Sequence, residues 1–144
     1  MSKTVIILGS NGRFGRAASQ AVFSAGWTIR TFTRNLPDPA EHPDFACYTG
    51  NAFDADALTH AARDCDVIVN ALNPPYQNWT RDLPRLTRAV IATAKATGST
   101  VMVPGNVYNY GADMPPVLTE DTPHRPTTRK GQLREAMEES YAIA

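Results

Sequence analysis

The sequence predicts an α/β fold, a doubly wound parallel sheet in three αβα layers. Apolar runs and helix-periodic segments alternate five times along 144 residues. Such alternation calls for parallel strands joined by right-handed crossovers, with helices on both faces of the sheet. The first run, Val5-Ile6-Ile7-Leu8, leads straight into three glycines spaced three apart, Gly9, Gly12 and Gly15, and an alanine-rich helical pattern follows. A strand buried on both faces reads as a continuous apolar run, and glycine relieves the steric limits of a tight strand-to-helix turn.

Backbone N–H groups at the start of that helix, together with its dipole, form a site for a pyrophosphate. Gly9, Ser10, Asn11, Gly12, Arg13, Phe14 and Gly15 are therefore candidate dinucleotide contacts. Phe14, Ala17, Ala18, Ala21, Val22 and Ala25 recur at helical spacing on one face. Their small side chains let the helix lie close to the sheet, and Gly26 fits the position just past its end. Thr28 to Thr33 is a second strand rich in β-branched and aromatic residues. Its end is informative about the cofactor. An acidic residue there bonds the ribose 2′-hydroxyl of NAD, whereas an arginine accommodates the 2′-phosphate of NADP. This chain has Thr33-Arg34-Asn35 and no carboxylate before Asp38. Arg34, with Arg13 as a second positive charge, favours NADP, and NAD is the alternative.

Residues 35–44 hold Pro37, Pro39 and Pro43 and read as a connection. Phe45 to Thr49 is a short third strand. Asp54 is placed to cap a helix carrying Ala57, Leu58, Ala61 and Ala62 on one side. Val67 to Leu72 is a fourth strand, introduced by Asp64-Cys65-Asp66 and stopped by Asn73-Pro74-Pro75. Pro84 fits the first turn of the next helix, with Asp82 near its start and Leu83, Leu86, Val90, Ile91 and Ala94 on a single face. Gly98 closes that helix, and Thr100 to Val103 is a fifth strand. Pro104 to Pro126 holds five prolines, with Tyr108 and Tyr110, and no periodicity. It is a loop at the C-terminal end of the sheet, where ligands sit in open α/β folds. Thr128 to Ala144 places Leu133, Met137, Tyr141 and Ala144 at helical spacing and ends without an exit loop.

Formal net charge is zero, so the whole-molecule field suggests neither nucleic acid nor a membrane surface. Lys3, Arg13, Arg16, Arg30 and Arg34 all precede the first acidic residue. A basic face around the glycine loop suits an anionic small ligand, and a plain solvated surface fits Arg16 and Arg30 equally. Cys47 and Cys65 show neither metal spacing nor a disulfide framework, so buried free thiols in a reducing cytoplasm are expected. His42, His60 and His124 are scattered, and no metal site is expected. The chain opens with no basic-then-apolar leader, and its apolar runs are too short to span a bilayer.

These motifs together resemble the extended and atypical short-chain dehydrogenase/reductases, the NAD-dependent epimerase/dehydratase family, from residue 4 to the end of the chain. Gly9-x-x-Gly12-x-x-Gly15 has that family's spacing. Gly50-Asn51-Ala52-Phe53-Asp54 resembles its Gly-Asp-x-x-Asp element beside the adenine, which adds Asn51 and Ala52 to the implied cofactor contacts. Val67 to Leu72 is similar to the strand whose end lies along the ribose and nicotinamide, which adds Ala71, Leu72 and Asn73. Pro104 to Gly111 resembles the family's Ser-rich stretch ending in Tyr-Gly, and Glu120 to Pro126 the acidic Thr-Pro segment before its catalytic helix. The resemblance implies a Rossmann-like NAD(P)-binding domain over residues 1–144, lacking a downstream substrate-binding part. It also implies an oxidoreductase or epimerase acting on a small carbonyl, alcohol or sugar nucleotide. The partners expected are that small-molecule substrate and, in a homodimer, a second copy of the chain, with no nucleic acid and no membrane.

The family's catalytic residues do not carry over. Its Ser, and its Tyr-x-x-x-Lys followed by Glu, align with Asn106, Lys130, Arg134 and Glu138. A Tyr acts as acid/base there because the Lys and the nicotinamide charge lower its pKa. Arg134 stays charged and is limited to orienting or stabilising an anion. Lys130 serves as an acid only if burial depresses its pKa. Asn106 can still donate to a carbonyl oxygen, and Tyr108 or Tyr110 are candidate substitutes for the acid. The plainer reading is an exposed face of Lys130 and Arg134, with Arg134 pairing Glu138, and loop tyrosines that merely pack. An NADP-dependent enzyme and a non-catalytic NADP-sensing module are both consistent with this pattern.

Overall fold

The computed structural model describes residues 2–36 and 44–144. The connection expected around Pro37, Pro39 and Pro43 lies outside the described residues. Among the described residues five strands, β1 (Thr4–Leu8), β2 (Thr28–Thr33), β3 (Ala46–Thr49), β4 (Val67–Asn70) and β5 (Thr100–Met102), form one sheet in the order β3-β2-β1-β4-β5. Every pairing is parallel. Helices α1 (Arg13–Ser24), α2 (Ala55–Ala62), α3 (Trp79–Thr97) and α4 (Arg129–Ala142) complete a Rossmann-like α/β architecture. By its contacts the chain divides into two compact units, one of Met1–Asn73 with Arg88–Pro104 and one of Pro74–Thr87 with Gly105–Ala144. The boundary falls inside α3.

In the first unit, β1 is central, and Val5, Ile6, Ile7 and Leu8 are all fully buried. That is why it reads as an uninterrupted apolar run rather than an alternating one. Val5, Ile7, Ile29 and Val69 form one core cluster, with Ala18, Val22 and Trp27 packed against it. The order of strands reverses between β1 and β4, which is the point where such sheets open a crevice for ligands.

Helix α1 corrects the sequence reading. Its buried side is Gly15, Ala18, Ser19 and Val22, whereas Phe14, Ala17, Ala21 and Ala25 are exposed. The turn at Gly9 sets the rotation, because Gly15 must face the loop and the helix follows from there. Ser19 is tolerated inside because its hydroxyl donates to the Gly15 carbonyl at 2.8 Å. Gly26, at φ +78°, ends the helix in a Schellman motif, with Gly26 N–H to Phe23 O at 2.9 Å and Trp27 N–H to Val22 O at 3.1 Å. Asp54 caps α2, its Oδ1 accepting from Asp56 N–H at 3.0 Å and Ala57 N–H at 3.2 Å. Arg30 is committed elsewhere than the glycine loop. Its Nη1 donates to the Ala61 and Arg63 carbonyls at the C-terminal end of α2, where a cation suits the helix dipole.

Strand β4 stops two residues short of the expected Leu72, because Asn70 Oδ1 accepts the Leu72 N–H at 3.2 Å and turns the chain. β5 likewise ends at Met102, not Val103, and β3 begins at Ala46, not Phe45. Cys65 is buried and Cys47 half-buried, both as free thiols. Helix α3 starts earlier than its proline suggests. Trp79 is buried, and its indole N–H donates to the Pro74 carbonyl at 2.9 Å, which anchors a first turn well before Pro84. Pro84 therefore lies inside the helix, where it removes one backbone bond.

In the second unit, the 3-10 turn Val107–Tyr110 is capped by Asn106, and Thr128 caps α4 through Gly131 N–H at 3.1 Å. Gly131 permits the close packing of α4. A Cβ there would lie 2.4 Å from the Tyr108 carbonyl oxygen. The buried face of α4 is consequently Gly131, Arg134 and Met137, with Leu133 only half-buried and Ala144 exposed. Among the described residues no helix is long and apolar enough to cross a membrane.

Candidate functional site

A cleft of about 330 Å³ opens at the C-terminal ends of β1, β2 and β4, all within the first unit. Gly9, Asn11 and Gly12 line one side, Phe32 to Asn35 a second, Gly50 and Ala52 a third, and Ala71 to Asn73 the last. Three glycines make this shape possible for different reasons. Gly9 adopts φ +78°, and a Cβ on it would press on the Ala71 carbonyl at 3.1 Å. At Gly15 a Cβ would sit 2.3 Å from the Gly9 carbonyl oxygen and 2.7 Å from Ser10 Cα, so no larger residue fits. Gly12 is different. Its nearest neighbour would be Gly9 O at an ordinary 3.5 Å, so the chain itself does not require glycine there.

Gly12 is also the N-cap of α1, and among the described residues no side chain caps that helix and no acidic residue stands in its first turn. The leading N–H groups thus point their partial positive charge outward without an internal partner. A pyrophosphate fits that end, and Gly12 leaves room for its close approach. The residues present therefore suit a dinucleotide.

Of the residues that the sequence put forward as cofactor contacts, Gly9, Asn11, Gly12, Arg34, Ala52, Ala71, Leu72 and Asn73 are brought together around the cleft. Ser10 and Gly15 are buried, Gly15 tight against the Gly9 loop. Arg13 and Phe14 are exposed on the first turn of α1 and are not among the residues that line the cleft. Asn51 is likewise outside the lining, and its Oδ1 accepts the Phe53 N–H at 3.1 Å, so it braces the turn into α2. Phe32, Thr33, Asn35 and Gly50 line the cleft without having been singled out. Gly50 had a signal in its adjacency to Asn51. It has to be glycine because a Cβ would meet the Phe32 ring at 2.8 Å.

The residues considered for catalysis all lie in the second unit. Asn106 spends its side-chain oxygen on the Tyr108 N–H at 3.0 Å. Tyr108 stands beside the buried Trp79, with ring centroids 6.3 Å apart. Lys130 is exposed and holds its Nζ 4.1 Å from the centre of the Tyr76 ring, a cation–π contact. Tyr76, which the sequence reading passed over, completes this group. A hydrogen bond with Tyr108 pushes its hydroxyl pKa above the usual tyrosine value, while the Lys130 charge works in the opposite sense. Arg134 is not on an exposed face. It is buried with Nη2 3.6 Å from Glu138 Oε1, and burial pushes its guanidinium pKa down against the opposing pull of Glu138. Tyr110 packs edge-on against His124, centroids 5.1 Å apart. Among the described residues no group of His, Cys, Asp or Glu could hold a metal ion.

Comparison with known proteins agrees with this geometry. A family model described as NAD(P)H-binding matches residues 9–142. Among solved structures, the chain is similar to UDP-N-acetylglucosamine 4-epimerase from Bacillus cereus, with a TM-score of 0.82 at 16% identity over 99% of this chain and 50% of that one. Uronate dehydrogenase from Agrobacterium tumefaciens matches with a TM-score of 0.78 at 21% identity, over 96% of this chain and 54% of that one. The Bordetella bronchiseptica enzyme WbmG, in complex with NAD and UDP, matches with a TM-score of 0.80 at 18% identity, over 100% of this chain and 50% of that one. At such identities the likeness is one of fold, and the chain spans about half the length of these proteins. A comparison with the curated proteins gave no match.

Proposed function

The chain belongs to the NAD(P)H-binding family, and on that premise we propose that its cleft binds NADP(H) in preference to NAD(H). One observation carries the preference. Arg34 is the one charged residue among the described residues that line the cleft, and no carboxylate joins it there. A 2′-phosphate beside Arg34 gains a charge-assisted contact, whereas a bare 2′-hydroxyl finds no acidic acceptor among the described residues of the lining. The N-terminal end of α1 would hold the pyrophosphate, with Gly12 permitting its approach. Ala71, Leu72 and Asn73 would lie along the nicotinamide half. When bound, the dinucleotide supplies or accepts a hydride.

We take the chain to be the nucleotide-binding part of an oxidoreductase or epimerase acting on a small carbonyl, alcohol or sugar nucleotide. The sequence resemblance supports this, as do the epimerase and dehydrogenase among the similar structures. A second reading has its own observation behind it. By the sequence resemblance, Lys130 and Arg134 stand where the family has its catalytic Tyr and Lys, and Arg134 is buried against Glu138. A chain that keeps the cofactor cleft but not this pair suits a non-catalytic NADP-sensing module.

Titration of the protein with NADPH and NADH tests the binding. NADPH is expected to bind more tightly, and Arg34→Asp to shift the preference toward NADH by removing the cation and supplying an acidic residue. An affinity ratio that Arg34→Asp leaves unchanged would overturn the NADP assignment. NADPH oxidation across carbonyl and sugar-nucleotide panels separates the enzyme from the sensor, which binds without turnover.

A further inference from the structure

Strand β2 runs out in the cleft, and three ties at its end hold the surrounding loops. The Phe32 carbonyl accepts the Gly9 N–H at 3.0 Å, and the Thr33 carbonyl accepts the Gly50 N–H at 3.1 Å. The last two carbonyls of one strand thus fix the glycine loop on one side and the bend at Gly50 on the other. The third tie is a side chain. The Thr33 hydroxyl donates to the backbone carbonyl of Asn35, two residues on. Thr33 is only 6% exposed, so its hydroxyl has little access to water and takes its acceptor from the turn it begins. Arg34, between the two bonded residues, and Asn35 both line the cleft.

We infer that Thr33 is a positioning residue that sets the discrimination between NADP(H) and NAD(H), by holding the Arg34–Asn35 turn against the cleft. This rests on the reading that Arg34 meets the 2′-phosphate. An arginine side chain on a free turn has to be ordered on binding, together with its backbone, whereas a pinned turn presents it already in place. The loss of the pin is felt by the ligand that uses Arg34 and hardly at all by the one that does not. NADH lacks the phosphate, so the hydroxyl of Thr33 is nearly indifferent to it.

The test compares Thr33→Val, of the same shape without the hydroxyl, with Thr33→Ser, which keeps it. Thr33→Ala, which lacks the hydroxyl and cannot crowd the site, is measured beside them. Dissociation constants for NADPH and NADH are read by nicotinamide fluorescence. Thr33→Val and Thr33→Ala are expected to weaken NADPH by about tenfold and NADH by less than about twofold, the scale of one lost hydrogen bond. Thr33→Ser is expected to keep the wild-type ratio. Retained NADH binding shows that the variants are folded. An unchanged NADPH/NADH ratio in Thr33→Val and Thr33→Ala, including equal weakening of both ligands, overturns the inference. A wild type that binds both equally overturns it too, while leaving the cofactor cleft standing. A wild type that binds neither removes the cofactor reading itself.

Discussion

The glycines of the loop do separate jobs, and single methyl groups should tell them apart. Gly15→Ala puts a Cβ against the Gly9 carbonyl, at 2.3 Å on the present backbone. It should destabilise the protein by about 1–3 kcal/mol through overpacking and spoil the cleft as well. Gly12→Ala meets nothing closer than 3.5 Å. Its cost to the fold should stay near or below about 1 kcal/mol, the scale of a helix cap, while NADPH affinity falls because the methyl fills the approach. Melting temperatures and NADPH titrations on both variants check this, and equal stability losses would contradict it. A second residue-scale outcome concerns pH. Arg81 bonds the Asp82 carboxylate at 2.7 Å and holds its pKa below the ordinary 3.8. A depressed carboxyl pKa stabilises the folded chain above the unfolded value and loses that contribution as pH falls through the folded value. The stability gap between wild type and Asp82→Asn, from urea midpoints, should therefore be full above pH 3.8 and shrink below it.

At the scale of elements, local chemistry was easy to read wherever a residue acts on its own neighbours. Asp54 as a cap and Gly26 and Gly98 as helix ends follow from short-range rules, and all three stand where those rules put them. Asp54→Ala should lower stability by about 0.5–2 kcal/mol, since two N–H groups of α2 lose their acceptor. Gly26→Ala should lower it by about 1 kcal/mol, through strain at φ +78°. Urea denaturation measures both, and no change in either would mean these ends are held by packing alone. What the sequence could not show was rotation and register. The small residues of α1 look alike on two faces, and only the contact of Gly15 with the loop selects the buried one. Pro84 marked a helix start that the buried Trp79 moved forward by more than a turn.

For the whole molecule, alternation of runs was enough to foretell the parallel sheet, because that pattern belongs to the chain as a line. The cleft was only half legible for the opposite reason. Gly9, Gly12 and Arg34 belong to recognisable local patterns, but the meeting of Phe32 and Thr33 with Gly9 on one side and Gly50 on the other depends on the order β3-β2-β1-β4, which brings distant stretches side by side. If the cleft is the cofactor site, NADPH at 100 times its dissociation constant should stabilise the protein by about 2.7 kcal/mol, seen as a raised melting temperature. An unmoved melting temperature with both dinucleotides would refute the assignment. The two carbonyls at the end of β2 also imply a sequence in time. Gly50 is held where the half-exposed β3 meets β2, at the edge of the sheet, whereas Gly9 is held beside β1 at its centre. Edges open locally long before centres do. Deuterium should therefore enter the Gly50 amide well before the Gly9 amide, so the two rims of one cleft keep different clocks, and a ligand that bridges them should slow the faster one most.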